Sequence, residues 1–279
     1  MTRKRLTITL RNDLVKLLDE MADGQTIRNR SHAVEVVLAQ SLVPKATKVL
    51  ILAGGRGTNF RPFTYEIPKA MIPVGGKPLL EHTIEQLKKF NLTDVTISIG
   101  HLGEKIQGYF GDGSKWGLSI SYLVQRGSKI GTSPAMRGAK GVFASDTFLL
   151  MYADVLADID LLDLIAFHRA ERQAVVTMAL ASVERATMWG VAKLSGSAIV
   201  AFEEKPDEPH SRSHLINAGI YVMEPSIFTY IGKDSLRLES DVFPKLAVEK
   251  KLLGYPFAGA WYDVSTPHVY EEVIREWQS

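Results

Sequence analysis

Apolar and polar positions change their period several times along this chain, and each change marks a different kind of element. Arg5-Leu6-Thr7-Ile8-Thr9-Leu10 alternates polar and apolar, the two-residue period of a half-buried strand. Leu14, Leu17, Leu18 and Met21 then recur at helical spacing, with Asn12 or Asp13 placed to cap that helix and Gly24 to end it. A second helix is capped by Ser31 and carries Ala33, Val34, Val37, Leu38 and Leu42 on its apolar side. Val43 to Thr47 reads as a linker, because Pro44 discourages continuation of the helix.

From Lys48 onward strands and helices alternate, which predicts an α/β sheet covered on both faces. Strands are expected over Val49–Leu52, Val95–Ile99, Ile120–Val124 and Phe148–Met151, and helices over Leu79–Phe90, Glu104–Phe110, Pro134–Val142 and Leu161–Arg172. The second half is richer in strands: Ala174–Ala181, Val191–Leu194, Ile199–Glu203, Ile216–Met223 and Leu253–Pro256, with a final helix over Pro267–Trp277. The pattern divides the chain into a small domain, 1–43, and a large one, 48–279.

Composition narrows the class. The 279 residues are 46% hydrophobic and 23% charged, ordinary for a soluble protein with a sizeable core. There is no cysteine, which excludes disulfides and cysteine-based zinc sites, and the seven histidines form no pair at metal-ligand spacing. No apolar run is long enough for a signal peptide or approaches the roughly 18 residues of a membrane span, so a cytoplasmic location is expected. The net charge of +2 is uneven: residues 1–48 hold nine Lys/Arg against five Asp/Glu, leaving −2 for the remainder. Any contact with a polyanion such as DNA therefore belongs to the small domain.

The stretch Val49-Leu-Ile-Leu-Ala-Gly-Gly-Arg-Gly-Thr-Asn-Phe-Arg-Pro-Phe-Thr64 runs a hydrophobic strand straight into Gly54, Gly55 and Gly57. Glycines let backbone N–H groups approach phosphates closely, yet the pattern is neither a Walker loop nor a dinucleotide fingerprint. Glycines alone would fit an ordinary strand-to-loop turn equally well. The longer string, continued by Pro68-Lys69 and Ile72-Pro-Val-Gly-Gly-Lys-Pro-Leu-Leu-Glu-His82, resembles the signature of sugar-1-phosphate nucleotidyltransferases. Phe148-Leu-Leu-Met-Tyr-Ala-Asp154, Glu204-Lys-Pro206, Asn217-Ala-Gly-Ile-Tyr221 and Trp261-Tyr-Asp-Val-Ser-Thr-Pro267 continue the resemblance in family order over about 230 residues.

The resemblance implies a Rossmann-like, mixed-sheet domain of the GT-A kind that transfers a nucleoside monophosphate from a nucleoside triphosphate to a sugar 1-phosphate. The reacting groups are anionic, so positioning and charge neutralisation are the task. On that reading Asp154 and Asp263 hold Mg2+, Lys69 meets the triphosphate and Lys205 faces the sugar phosphate. Glu204 and Asn217 hydrogen-bond sugar hydroxyls, and Gly219 leaves room for the ring. Leu52, Ala53, Gly54, Gly55, Gly57, Thr58 and Asn59, with the Gly131-Thr132 turn, surround the nucleotide. Each of these residues alone has a plainer reading, as a cap, a solvated lysine or a loop pairing. Asp158 and Asp160 are read as caps or solvated loop residues, and Tyr65, Trp116, Trp189 and Trp277 as packing residues. The Glu-Lys-Pro and Trp-x-Asp segments lean towards mannose-1-phosphate guanylyltransferases, while base and sugar stay open.

Two positions depart from the family pattern. Asn59 stands where an arginine is usual, removing a charge beside the triphosphate, and Pro134 stiffens the segment after Gly131 and deletes an N–H. The first 40 or so residues resemble the ribbon-helix-helix DNA-binding family, which implies a homodimer or higher oligomer through paired strands. Arg5, Thr7 and Thr9 would then face bases and Ser31 a phosphate. A dimerisation module that never meets DNA is the alternative. The chain reads as an enzyme, or else as a DNA-binding regulator with a nucleotidyltransferase-like ligand sensor.

Overall fold

In the computed structural model, residues 7–22, 27–42, 48–125, 130–171, 173–207 and 213–277 are described. The chain divides into two units, Met1–Lys45 and Ala46–Ser279. In the first, α1 (Asn12–Met21) and α2 (Arg30–Leu42) pack through the buried Leu18 and Ala33. Arg30 clasps Asp19 with two bonds of 2.7 and 2.6 Å. The caps differ from expectation. Arg11 occupies the α1 cap without a side-chain bond, and Asp13 falls in the first turn, where its charge suits the helix dipole. Asn29, not Ser31, caps α2, its Oδ1 accepting the His32 N–H at 3.0 Å. Arg5, Leu6, Gly24 and the linker lie outside the described residues. Thr7 to Leu10 join no sheet among the described residues, for a lone strand has nothing to pair with.

In the second unit β1 (Lys48–Ala53) lies at the middle of a parallel block. A small hairpin, β2 (Pro73–Val74) and β3 (Lys77–Pro78), leads into α3 (Leu79–Lys89); β4 (Asp94–Ile99), α4 (Gly103–Phe110) and β5 (Ser119–Val124) follow. Then come α5 (Thr132–Phe143), β6 (Phe148–Tyr152), β7 (Val155–Ala157) and α6 (Leu161–Ala170). The later half adds β8 (Val176–Ser182), β9 (Gly190–Ser195), β10 (Ala198–Glu204) and β11 (Leu215–Met223). The short helices α7 (Ile227–Tyr230), α8 (Leu238–Asp241) and α9 (Phe243–Val248) precede β12 (Leu252–Pro256), β13 (Trp261–Asp263) and α10 (Pro267–Glu276).

Nine of these strands form one mixed sheet in the order β5-β4-β1-β6-β11-β8-β12-β10-β9. β5, β4, β1 and β6 run parallel, and β11 enters antiparallel to both β6 and β8. Strand periodicity distributes the core: Val49 and Ile51 join one cluster with Leu80, Ile84 and Leu87 of α3, while Leu50 joins the opposite cluster with Met136 and Phe143 of α5. Leu50, Leu80 and Ile84 are fully buried, each contributing about 2 kcal/mol by removal from water. No described helix is long and apolar enough to cross a membrane.

Three local features refine the reading. Asp160 caps α6 by accepting from Leu162 and Asp163 at 2.9 and 3.0 Å. α5 starts at Thr132, so Pro134 sits in the first turn, where the helix needs no N–H donor. Pro134 therefore removes no intrahelical bond. Two short pairs, β2 with β3 and β7 with β13, were not legible in the apolar pattern.

Candidate functional site

The loop after β1 turns on Gly57. Gly57 is left-handed at φ +59°, and a Cβ there would come within 2.8 Å of Thr64, whose hydroxyl donates to the Gly57 carbonyl at 2.7 Å. A Cβ on Gly54 would lie 2.3 Å from the Gln125 side-chain amide, a flexible end free to move aside, and Gly55 opens to empty space. Leu52 and Ala53 end β1, where Leu52 accepts the Ala153 N–H at 3.1 Å. Thr58 and Asn59 form a turn of 3-10 helix with Phe60, and Asn59 donates to the Ser265 carbonyl at 3.2 Å.

That bond reaches the segment that carries Asp263. β13 pairs antiparallel with β7, setting Asp263 opposite Val155, and the Val264 N–H donates to the Asp154 carbonyl at 2.9 Å. Two aspartates 109 positions apart thus share one site. Lys69 is drawn to it, its Nζ 2.5 Å from Asp154 Oδ2. Burial first, and then the Asp154 charge, push the Asp263 carboxyl above its ordinary range; Lys69 and the Trp189 N–H, 2.9 Å from Asp263 Oδ2, oppose this. Two carboxylates that share a single ammonium suit a hard divalent ion. No group of three His, Cys, Asp or Glu suited to a metal occurs among the described residues, so water or phosphate oxygens would complete the shell.

Beside the aspartates opens a cavity of about 220 Å³ lined by Glu204, Lys205, Asn217, Gly219 and Glu239, with Trp189 and Trp261 as apolar walls. The Asn217 Oδ1 accepts the Gly219 N–H at 3.0 Å across an irregularity in β11. Gly219 is required by backbone shape as much as by space, because φ is +73° and a Cβ would touch Val155 and Tyr152. Lys205 adopts a left-handed φ of +46° at the end of β10. Burial, and next the Glu239 charge, lift the Glu204 carboxyl to about 7.

Glu239 and Tyr152 carry site roles not anticipated from sequence. Glu239 is buried and accepts from the Tyr152 hydroxyl at 2.5 Å and from Thr132 Oγ1 at 2.8 Å, tying the Gly131-Thr132 turn to the cavity floor. Tyr152 stays a donor because burial raises its hydroxyl far above 10. The sequence offers no signal for Glu239, because it stands in a polar run with Ser240 and Asp241 between Leu238 and Val242. Trp189, for which the sequence alone predicts a packing role, packs against Trp261 but also lines the cavity and bonds Asp263. The structure thus gathers Lys69, Asp154, Asp263, Glu204, Lys205, Asn217 and Gly219, with Gly54 to Asn59 at the same end of the sheet. Thr7, Thr9 and Ser31 are exposed on the first unit. A larger cavity, about 480 Å³ between α3 and β7, is lined by His82, Gln86 and Trp277 and contains neither aspartate.

Comparison with known proteins gives a consistent result. The family model described as nucleotidyl transferase matches residues 48–279. A UTP–glucose-1-phosphate uridylyltransferase of Synechocystis sp. is 33% identical over 82% of this chain and 62% of its own length. A mannose-1-phosphate guanylyltransferase of Mycobacterium tuberculosis is 34% identical over 81% of this chain and 62% of its own. The chain thus spans about 62% of the length of these curated relatives. A UDP-glucose pyrophosphorylase crystallised with UDP-glucose shares the fold at TM-score 0.70 and 24% identity, covering 82% of this chain and 97% of that one.

Proposed function

The chain belongs to the nucleotidyl transferase family, and from that membership we propose that it transfers a nucleoside monophosphate from a nucleoside triphosphate to a sugar 1-phosphate. An oxygen of the sugar phosphate attacks the α-phosphorus; the new P–O bond forms as the α–β bond breaks, and the electron pair leaves with pyrophosphate. The observation that carries this reading is the meeting of Asp154, Asp263 and Lys69 at the mouth of a cavity holding Glu204, Lys205 and Asn217.

Gly54, Gly55, Gly57 and the Gly131-Thr132 turn cradle the nucleotide, and Lys69 leaves Asp154 to face the triphosphate. Asp154 and Asp263 would hold Mg2+, which when bound neutralises phosphate charge. Lys205 orients the attacking phosphate, while Glu204 and Asn217 read sugar hydroxyls. Pyrophosphate release over a panel of UTP, dTTP and GTP with glucose and mannose 1-phosphates tests the assignment. Turnover with one pairing is expected. Tight triphosphate binding with no release from any pairing would refute it and favour a ligand-sensing regulator, the reading that the neutral Asn59 suggests.

For the first unit we infer self-association. Ile8, Leu14, Leu17, Met21 and Leu38 expose apolar surface on a piece too small to bury it alone, which supports a second copy pairing there in the ribbon-helix-helix manner. DNA contact by Arg5, Thr7, Thr9 and Ser31 is the further step. Changing Arg5, Thr7 and Thr9 together to Ala should abolish any sequence preference and leave the dimer intact.

A further inference from the structure

We propose that Trp189 is a positioning residue for this reaction, its indole N–H orienting Asp263 and its backbone carbonyl seating Lys205. The inference rests on the reading of Asp263 as a cation ligand and adds the residue that holds it in place. Trp189 stands between a 3-10 turn, Ala186–Met188, and β9. The next residue, Gly190, admits no side chain, since a Cβ there would lie 2.3 Å from Phe202 and 2.8 Å from Glu204. The strand therefore presses against β10, and the indole leans over the cavity.

Its orientation is fenced. The ring meets Trp261 edge to face, centroids 5.5 Å apart at 76°, and Trp261 is itself anchored by its N–H to the Ala218 carbonyl at 3.0 Å. Between these constraints the Trp189 N–H lies 2.9 Å from Asp263 Oδ2. A donor on one carboxylate oxygen fixes the plane of the group, and metal-ligating carboxylates depend on such partners. At the other end, the Trp189 carbonyl accepts the Lys205 N–H at 3.1 Å. Lys205 holds a left-handed backbone unusual for a side-chain-bearing residue, so its seating depends on neighbours. A single residue thus connects the cation carboxylate with the lysine assigned to the attacking phosphate. A phenylalanine would keep an aromatic ring against Trp261 without the N–H, which separates positioning from packing.

The experiment compares wild type, Trp189→Phe and Asp263→Asn in the full chain, titrated with Mn2+ and followed by electron paramagnetic resonance, with thermal melts alongside. Trp189→Phe is expected to weaken Mn2+ binding about tenfold, within the range for lost outer partners of a metal ligand. It should lower kcat and leave the KM for the nucleoside triphosphate unchanged. Unaltered Mn2+ affinity in Trp189→Phe overturns the proposal, even if the melt shifts, because packing alone would then explain the residue. Equal Mn2+ binding by wild type and Asp263→Asn removes the cation reading and the proposal with it. Should Trp189→Phe fail to fold, benzothienylalanine at position 189 keeps the indole shape while deleting the N–H, and the same two outcomes decide.

Discussion

Replacing Lys69 with Met keeps the length and apolar stem of the side chain but leaves Asp154 and Asp263 facing each other without their cation. The ammonium and carboxylate are 2.5 Å apart, with the side chains 13% and 32% exposed. At an effective dielectric of about 20 and a charge separation of about 3.5 Å, the gross attraction is about 5 kcal/mol. Desolvation and the solvent access of Asp154 reduce the net effect to about 2 kcal/mol. For a unit of this size that lowers Tm by about 4–8 °C. Adding Asp154→Asn to Lys69→Met should restore much of the loss, since the repulsion disappears with the charge. The assay is a double-mutant cycle read by chemical denaturation, with a coupling of about 2 kcal/mol expected between positions 69 and 154. Mg2+ should raise the Tm of Lys69→Met more than that of wild type, because it would fill the cationic vacancy left by the lysine. A variant melting within a degree of wild type, with additive effects in the cycle, would refute the electrostatic reasoning.

Three further outcomes are expected. Asn59→Arg should raise kcat/KM about tenfold by returning a charge to the triphosphate loop, equivalent to about 1.4 kcal/mol of transition-state stabilisation; unchanged kinetics would mean that Arg56 supplies it, since Arg61 lies over the Tyr65 ring. Glu204 is lifted from 4.5 to about 7, so the folded state holds its proton more tightly and stability declines as pH rises between those values. Glu204→Gln should therefore match wild type near pH 4 and exceed it by about 2 kcal/mol at pH 8, allowing for partial exposure, in denaturant titrations; equal slopes for the two proteins would contradict this. Removing residues 1–44 should reduce self-association seen by light scattering while the larger unit keeps its melting transition, and an unchanged oligomer would place the interface elsewhere.

The apolar pattern alone determined the alternation of strands and helices from Lys48 onward, because strands such as Val49–Leu52 and Ile216–Met223 must bury side chains on both faces of a covered sheet. The candidate site residues came from the family resemblance instead, carried by collinear motifs from Gly54 to Pro267, because Lys69, Asp154, Lys205 and Asp263 taken singly each have a plainer reading. What neither showed depends on contacts distant in sequence. β7 and β13 are three residues each, too short for any period to appear, and exist because they pair with one another; that pairing alone brings Asp263 opposite Val155 and beside Asp154. Glu239 and Trp189 were invisible as site residues for the same reason. An acid in the polar run Glu239-Ser240-Asp241 and a tryptophan before a glycine acquire meaning only when the fold brings Thr132, Tyr152 and Asp263 within hydrogen-bonding distance of them. The caps of α1 and α2 and the place of Pro134 in the first turn of α5 were settled locally, by where each helix begins, a boundary set by backbone geometry rather than by residue type.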